Sequence, residues 1–158
     1  MKKLISFATA AMLACFSANA QIDKNALGLR IGGGNHSGVE LSYQLGMDNN
    51  INRLELDLGF SGSSSHNIVG LAGIYQWVWP IGSQGFNWYA GPGAGLSIAS
   101  GKGNSKDYFG ISIGGQIGIG YNFRSPLQLT LDTRPIWDFL SNNDAFGWGI
   151  ALGIRYRF

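Results

Sequence analysis

From residue 27 onward, apolar and polar positions alternate with a period of two, the repeat of an extended strand whose successive side chains point to opposite faces. Eight stretches carry the alternation, at about residues 27–33, 38–46, 53–61, 68–79, 88–99, 108–123, 127–137 and 147–158. One parity is apolar: Leu27, Leu29 and Ile31 in the first stretch, Leu54, Leu56, Leu58 and Phe60 in the third, and Trp148, Ile150, Leu152, Ile154, Tyr156 and Phe158 in the last. The other parity holds every charge within the stretches, namely Arg30, Glu40, Arg53, Glu55, Asp57, Asp132, Arg134, Arg155 and Arg157. Glycine, 25 residues of 158, sits inside the stretches as well as between them, and no helix of useful length is predicted.

Alternation alone does not say which face points inward, because a soluble barrel of the lipocalin kind shows the same period with its apolar face inside. Volume decides. Eight strands enclose only enough space for side chains, and five Trp with most of the Phe, Tyr and Leu cannot all fit there. The charged parity, in contrast, is diluted by small residues such as Gly28, Gly59, Gly118 and Gly153, which leave room for long Arg and Glu side chains in a narrow lumen. Charge placement checks the assignment, since a Lys or Arg facing mid-bilayer costs about 2–4 kcal/mol and none falls on the apolar face. The predicted fold is all-β, an eight-stranded antiparallel up-and-down transmembrane β-barrel, several of its strands near the ~9–11 residues a tilted strand needs to cross a bilayer.

Aromatic residues agree with this orientation. Trp77, Trp79, Trp88, Tyr121, Phe123, Tyr156 and Phe158 fall near one predicted end, and Phe60, Phe109, Trp137 and Trp148 near the other, as two interfacial girdles would. With both ends of the chain periplasmic, the periplasmic turns are Gly46–Asn52, Pro80–Asn87 and Arg124–Pro126, and the outer loops Gly34–Ser37, Ser61–Asn67, Ser100–Asp107 and Asp138–Phe146. Their shortness argues against a large recognition domain. Pro92 is the strained position, because proline cannot donate to a ladder and a closed barrel has no free edge; a bulge is expected around Gly91-Pro92-Gly93.

The N-terminus adds a destination. Lys2-Lys3, an apolar run from Leu4 to Phe16 and the small-residue site Ala18-Asn19-Ala20 predict a secretory signal peptide over residues 1–20, leaving a barrel domain over 21–158. Lipidation at Cys15 is disfavoured by the bulky Leu13 that precedes it where a small residue is wanted. Loss of Lys2 and Lys3 takes Lys plus Arg from 11 to 9 against 9 acids, so the mature chain is formally neutral. No basic stripe interleaved with aromatics suggests nucleic acid, and no cysteine remains for a disulfide or thiolate metal site. No apolar run after the signal is long enough for a membrane helix.

Candidate chemistry is confined to the lumen. Buried charges must pair or be hydrated, so Arg30, Glu40, Arg53, Glu55, Asp57, Asp132, Arg134 and Arg155 are expected to form a charge network, with Arg157, Gln44, Gln76, Gln116, Gln128, Thr130 and Tyr89 beside it. The network either fills the barrel or gates a narrow pore for ions or small solutes. Acyl-transfer chemistry on lipid A needs a nucleophile, a base and an orienting acid within reach, and the two histidines, His36 and His66, lie in outer loops while Glu40 and Asp57 point into the lumen. Enzymatic activity is therefore not expected, nor is any cofactor. Metal-ligand spacing is absent among His36, His66, Asp107, Asp138 and Asp144. Gly101 to Lys106 lacks the spacing of a phosphate loop and reads as an exposed loop whose Lys102 and Lys106 can touch anionic lipopolysaccharide.

Four features together carry a resemblance: the Ala20-Gln21 junction, the eight alternating stretches, Leu131-Asp132-Thr133-Arg134-Pro135 and the Arg155-Tyr156-Arg157-Phe158 ending. Through them the chain resembles the OmpA/OmpX-like superfamily of small outer-membrane β-barrels. Tyr75-Gln76-Trp77 and Asn87-Trp88-Tyr89-Ala90-Gly91-Pro92-Gly93 look like segments of barrel proteins of Bacteroidetes-type bacteria. The resemblance implies residence in the cell outer membrane of a Gram-negative bacterium, contact with outer-membrane lipids and lipopolysaccharide, and a monomer with a structural or cell-surface role. It implies that Tyr156 and Phe158 form the signal read by the barrel-assembly machinery. Architecture follows from it more firmly than activity, since fold does not fix function.

Overall fold

The computed structural model describes residues 24–34, 38–47, 52–62, 66–82, 85–103, 107–139 and 145–158. The segment expected to be a signal peptide, with Cys15, and also His36, Lys106 and Asp144, lie outside the described residues. Ten strand segments follow one another: β1 (Asn25–Gly34), β2 (Gly38–Gly46), β3 (Asn52–Gly62), β4 (His66–Pro80), β5 (Phe86–Gly101), β6 (Tyr108–Asn122), β7 (Leu127–Thr133), β8 (Ile136–Phe139), β9 (Ala145–Gly147) and β10 (Gly149–Arg157). Consecutive segments from β1 to β7 pair antiparallel, β8 pairs with β6 and β9, β10 pairs with β7, and β1 pairs with β10, so the sheet closes on itself. Segments β7 and β8 are one barrel strand, and β9 and β10 another, making eight; the described residues contain no helix.

Register fixes the barrel's shape. Crossing from strand to strand by paired residues, Lys24 leads through Gly46, Arg53, Gln76, Gly91, Gln116, Arg134 and Gly149 back to the first strand at Gly34, ten residues further along. A stagger of that size on eight strands tilts them within the ~35–45° that such barrels adopt. Strands β4, β5 and β6, at 15, 16 and 15 residues, exceed the ~9–11 needed to cross a tilted bilayer span.

Two of the four proline positions, Pro92 and Pro135, differ in detail from the sequence expectation. No residue is inserted at Gly91-Pro92-Gly93: the pairs Ile74↔Gly93 and Trp77↔Ala90 enclose two residues on each strand, so the ladder opens without a bulge. Gly91 makes this possible, because a Cβ there would lie 1.7 Å from the Tyr75 carbonyl oxygen. The seventh strand, expected continuous over 127–137, is interrupted at Arg134-Pro135, opposite Trp148 in the eighth. Pro135 has no N–H to give. Its carbonyl still accepts from Gly115 N at 3.0 Å, and Arg134 N reaches Gly149 O at 3.3 Å, so the register continues across the break.

The faces are those the parity predicts. Leu41, Leu58, Leu71 and Leu96 form a row across four strands and are between 36% and 52% exposed. All five Trp face outward. A soluble barrel would bury these residues. Here the buried polar set is Arg30, Ser42, Gln44, Arg53, Glu55, Asp57, Gln76, Asn87, Gln116, Gln128, Thr130, Asp132 and Arg155, with only a few apolar side chains such as Ile74 and Ala151.

Candidate functional site

Inward positions at matching heights on neighbouring strands bring the lumen residues together. Glu55 on β3 is the point of convergence: its carboxylate accepts from Gln44 Nε2 at 2.6 Å, Gln116 Nε2 at 3.1 Å, Arg134 Nη2 at 3.3 Å and Arg155 Nη2 at 2.9 Å. Arg155 also donates to Ser42 Oγ and, at 2.9 Å, to Thr130 Oγ1. Arg134 bridges onward to Asp57 at 2.5 Å and Glu40 at 3.5 Å. Glu40 in turn accepts from Arg30 at 2.6 Å, and Arg30 holds Asp132 through two nitrogens.

These contacts close into a ring. Tyr89 donates to Asp132 at 3.1 Å, Asp132 holds Arg30, and Arg30 leads through Glu40 and Arg134 to Glu55. From Glu55 the path continues through Gln116 and Gln76 to Arg53, whose guanidinium lies 4.5 Å over the ring of Tyr89. Bare glycines give the ring its room. A Cβ on Gly118 would lie 2.6 Å from the Tyr89 hydroxyl, and one on Gly153 would lie 2.4 Å from Thr130 Oγ1. At this level Glu55, Gln76, Tyr89 and Ser42 are wholly inaccessible to solvent, and Arg155 and Thr130 nearly so. Charges so placed survive only when paired, because an isolated ion in a low-dielectric interior is strongly disfavoured.

Cavities lie on both sides of this plug. Toward the loop end, a space of about 120 Å³ is lined by Glu40, Asp57 and Arg134 below and by Gly59, Gly70, Gly95 and Ser112 around it. Ile68, Ile74 and Ile136 also line it, so the inward face is not wholly polar there. Asp138, expected in an outer loop, sits in β8 paired with Ser112 and lines this cavity. Toward the end where the described chain begins and finishes, a vestibule of about 370 Å³ is bounded by Arg53, Gln44 and Gln128.

Of the eight residues expected to form a charge network, seven make ion pairs: Arg30, Glu40, Glu55, Asp57, Asp132, Arg134 and Arg155. Arg53 does not. Glutamine and the face of a tyrosine hold it instead of a carboxylate, because its place on β3 lies one row toward the vestibule from Glu55. Arg157 also stands apart from the plug, donating to the carbonyls of Phe123 and Ser125 at the third turn. Ser42, Asn87 and Asn122 were not singled out from sequence, although their inward parity is the signal that finds them.

The aromatics gather at the two ends of the wall. Trp79 stacks on Trp88 at 4.2 Å, Tyr75 meets Trp77 edge-on at 5.5 Å, and Tyr121 contacts Phe86 and Phe123. At the loop end Trp137 meets Phe146 at 4.7 Å, and the Trp148 indole N–H donates to Thr133 Oγ1. Tyr156 pairs with Leu27 and Leu127, and Phe158 closes the seam by exchanging main-chain hydrogen bonds with Asn25. His66 packs edge-on against Tyr108, while Glu40 and Asp57 each pair with an arginine through one oxygen. Among the described residues no three His, Cys, Asp or Glu side chains cluster as metal ligands.

No protein-family model matches the chain, and no curated protein sequence does. Solved structures do. The chain is similar to Neisserial surface protein A, at 15% identity over 85% of this chain and 94% of that one, with a TM-score of 0.63. It is similar to the N-terminal β-barrel domain of Pseudomonas aeruginosa OprF, at 14% identity over 87% of this chain and all of that one, again with a TM-score of 0.63. A third is outer membrane protein H of P. aeruginosa, solved in DHPC micelles, at 17% identity over 87% and 100% of the two chains and a TM-score of 0.65. With its closed antiparallel sheet, apolar exterior and charged interior, the chain has the fold of the small eight-stranded outer-membrane β-barrels.

Proposed function

We propose that this protein is a monomeric outer-membrane barrel with a structural or cell-surface role, its lumen sealed by a polar plug and without catalytic function. The observation that carries the reading is the solvent-excluded layer at Glu55, Gln76, Tyr89 and Arg155, whose bonds run wall to wall. An eight-stranded lumen has room for side chains and little else. The apolar belt then meets outer-membrane lipid, the terminal girdles sit at the two interfaces, and Lys102 in the outer loop faces lipopolysaccharide headgroups. The signal segment over 1–20 directs export, and the Tyr156 to Phe158 ending engages the assembly machinery during insertion.

Conductance in planar bilayers tests the plug. A sealed barrel gives no stable openings, and stable openings abolished by lumen substitutions would overturn it. The cavities on either side of the ring support a second reading, a narrow pore gated by the Arg30, Glu40, Arg134 and Asp57 pairs. A deletion strain compared for envelope permeability, lipid A structure and host-protein binding separates the structural, catalytic and surface roles.

A further inference from the structure

We propose that the loop-end half of the lumen binds a small apolar molecule, of the size of a single aromatic ring. The cavity there measures about 120 Å³. An apolar cavity of about 150 Å³ in a protein interior holds a benzene ring. Ile68, Ile74 and Ile136 line it from the inward parity, where the ring below carries amides and charges, and Ala72 with the bare backbone of Gly70 and Gly95 extends the wall. Its rim reaches the loop-side strand ends at Gly38 and Ser61, and the solvent-excluded ring closes the lumen beneath it. A molecule therefore enters from the loop end and goes no further.

The glycines of this half differ from those of the ring. At Gly118 and Gly153 a Cβ would lie 2.6 Å from the Tyr89 hydroxyl and 2.4 Å from Thr130 Oγ1, so neighbouring side chains already use the room. Gly59 and Gly70, paired side by side on β3 and β4, have no such occupant. Outside the chain neighbours, a Cβ on Gly70 would meet nothing nearer than the Leu96 carbonyl oxygen at 3.5 Å, and one on Gly59 nothing nearer than Glu40 Cγ at 3.4 Å. Those are ordinary van der Waals distances, and glycine inside a strand gives up stability relative to a residue with a side chain. Two bare positions with room beside them give it up for a space that stays open. The charges at the floor do not ask for an ionic guest, because they pair with one another: Arg134 holds Glu40 and Asp57, and Glu40 also accepts from Arg30. Asp138, the remaining charge of the lining, stands nearer the loops on β8. What the isoleucine and glycine walls lack is contact across the void, and an uncharged, apolar guest supplies it.

The test follows the δ1-methyl resonances of labelled isoleucines in the folded full-length mature barrel in detergent micelles, titrated with toluene. Toluene also dissolves in the micelle, so the outward Ile113 and Ile150, each about half exposed, serve as the internal control. The methyls of Ile68, Ile74 and Ile136 are expected to shift and saturate, with a dissociation constant in the millimolar range or tighter, while those of Ile113 and Ile150 drift in proportion to the toluene added. Glycerol, small and polar, should leave all five in place. Gly70→Val occupies the space and should weaken the saturable shift by about tenfold or more, while heat-modifiable gel migration reports an intact barrel. Should that variant not fold, the comparison of inward with outward methyls in the wild type decides alone. Inward methyls that do not move or move only in step with the outward ones, an equal response to glycerol, or an undiminished saturable shift in folded Gly70→Val would overturn the proposal.

Discussion

Replacing Glu55 by Gln keeps the volume at the centre of the plug and removes the charge on which four donors converge. The native carboxylate accepts from Gln44, Gln116, Arg134 and Arg155, and it is fully buried. An amide offers one accepting oxygen and places an NH2 among those donors, so at least one donor faces another. Arg155 then retains only the hydroxyls of Ser42 and Thr130 in a site from which water is excluded. Removing one partner of a buried pair costs about 3–5 kcal/mol. Arg134 keeps Asp57 and Glu40, so the loss falls on Arg155, and the lower figure of about 3 kcal/mol is expected. Urea slopes for proteins of this size are about 1–3 kcal/mol per molar, so the unfolding midpoint should fall by about 1–3 M. Urea titration in lipid vesicles, followed by tryptophan fluorescence and heat-modifiable gel migration, measures it. Adding Arg155→Met to Glu55→Gln removes the stranded charge and should recover part of the loss. A folded Glu55→Gln barrel within about 0.5 kcal/mol of wild type would refute the reasoning, because the plug would then be solvated and its charges free of a desolvation penalty.

Leu58→Arg puts a charge in the middle of the outward leucine row and should destabilise the barrel by about 2–4 kcal/mol, read by the same titration; no loss would mean this face does not meet lipid. Gly118→Val fills the space beside the Tyr89 hydroxyl and should break its bond to Asp132, seen as an altered environment of Tyr89 in the spectrum of the tyrosine-ring resonances. Phe158→Ala leaves the main-chain exchange with Asn25 intact, so refolding in vitro should proceed normally while insertion in cells falls; equal insertion would remove Phe158 from the assembly signal. Trp148→Phe loses the indole donor to Thr133 without disturbing the lumen, and a stability change below about 1.5 kcal/mol is expected.

The sequence by itself determined the number of barrel strands, their approximate bounds and the direction each face takes. The reason is the period of two: a one-residue slip would place Arg30, Glu40, Glu55, Asp132 or Arg155 against lipid in five of the strands, and in the three uncharged ones, β4 to β6, would turn outward apolar residues such as Leu71, Leu96 and Ile111 into the lumen. Volume settled inside from outside, since five tryptophans exceed what eight strands enclose. Partner choice among the inward charges was another matter. Pairing across the lumen depends on the ten-residue stagger, which sums small offsets from every turn and appears in no single stretch. That stagger joins Arg30 to Asp132, 102 residues away, and leaves Arg53 without a carboxylate although Glu55 is two residues along the same strand. It also decided that Pro92 opens a ladder without inserting a residue, because the close approach of Gly91 to Tyr75 is a property of two strands together. The vestibule likewise exists only in three dimensions, where residues of the first and last strands and of the strand ends beside the turns meet.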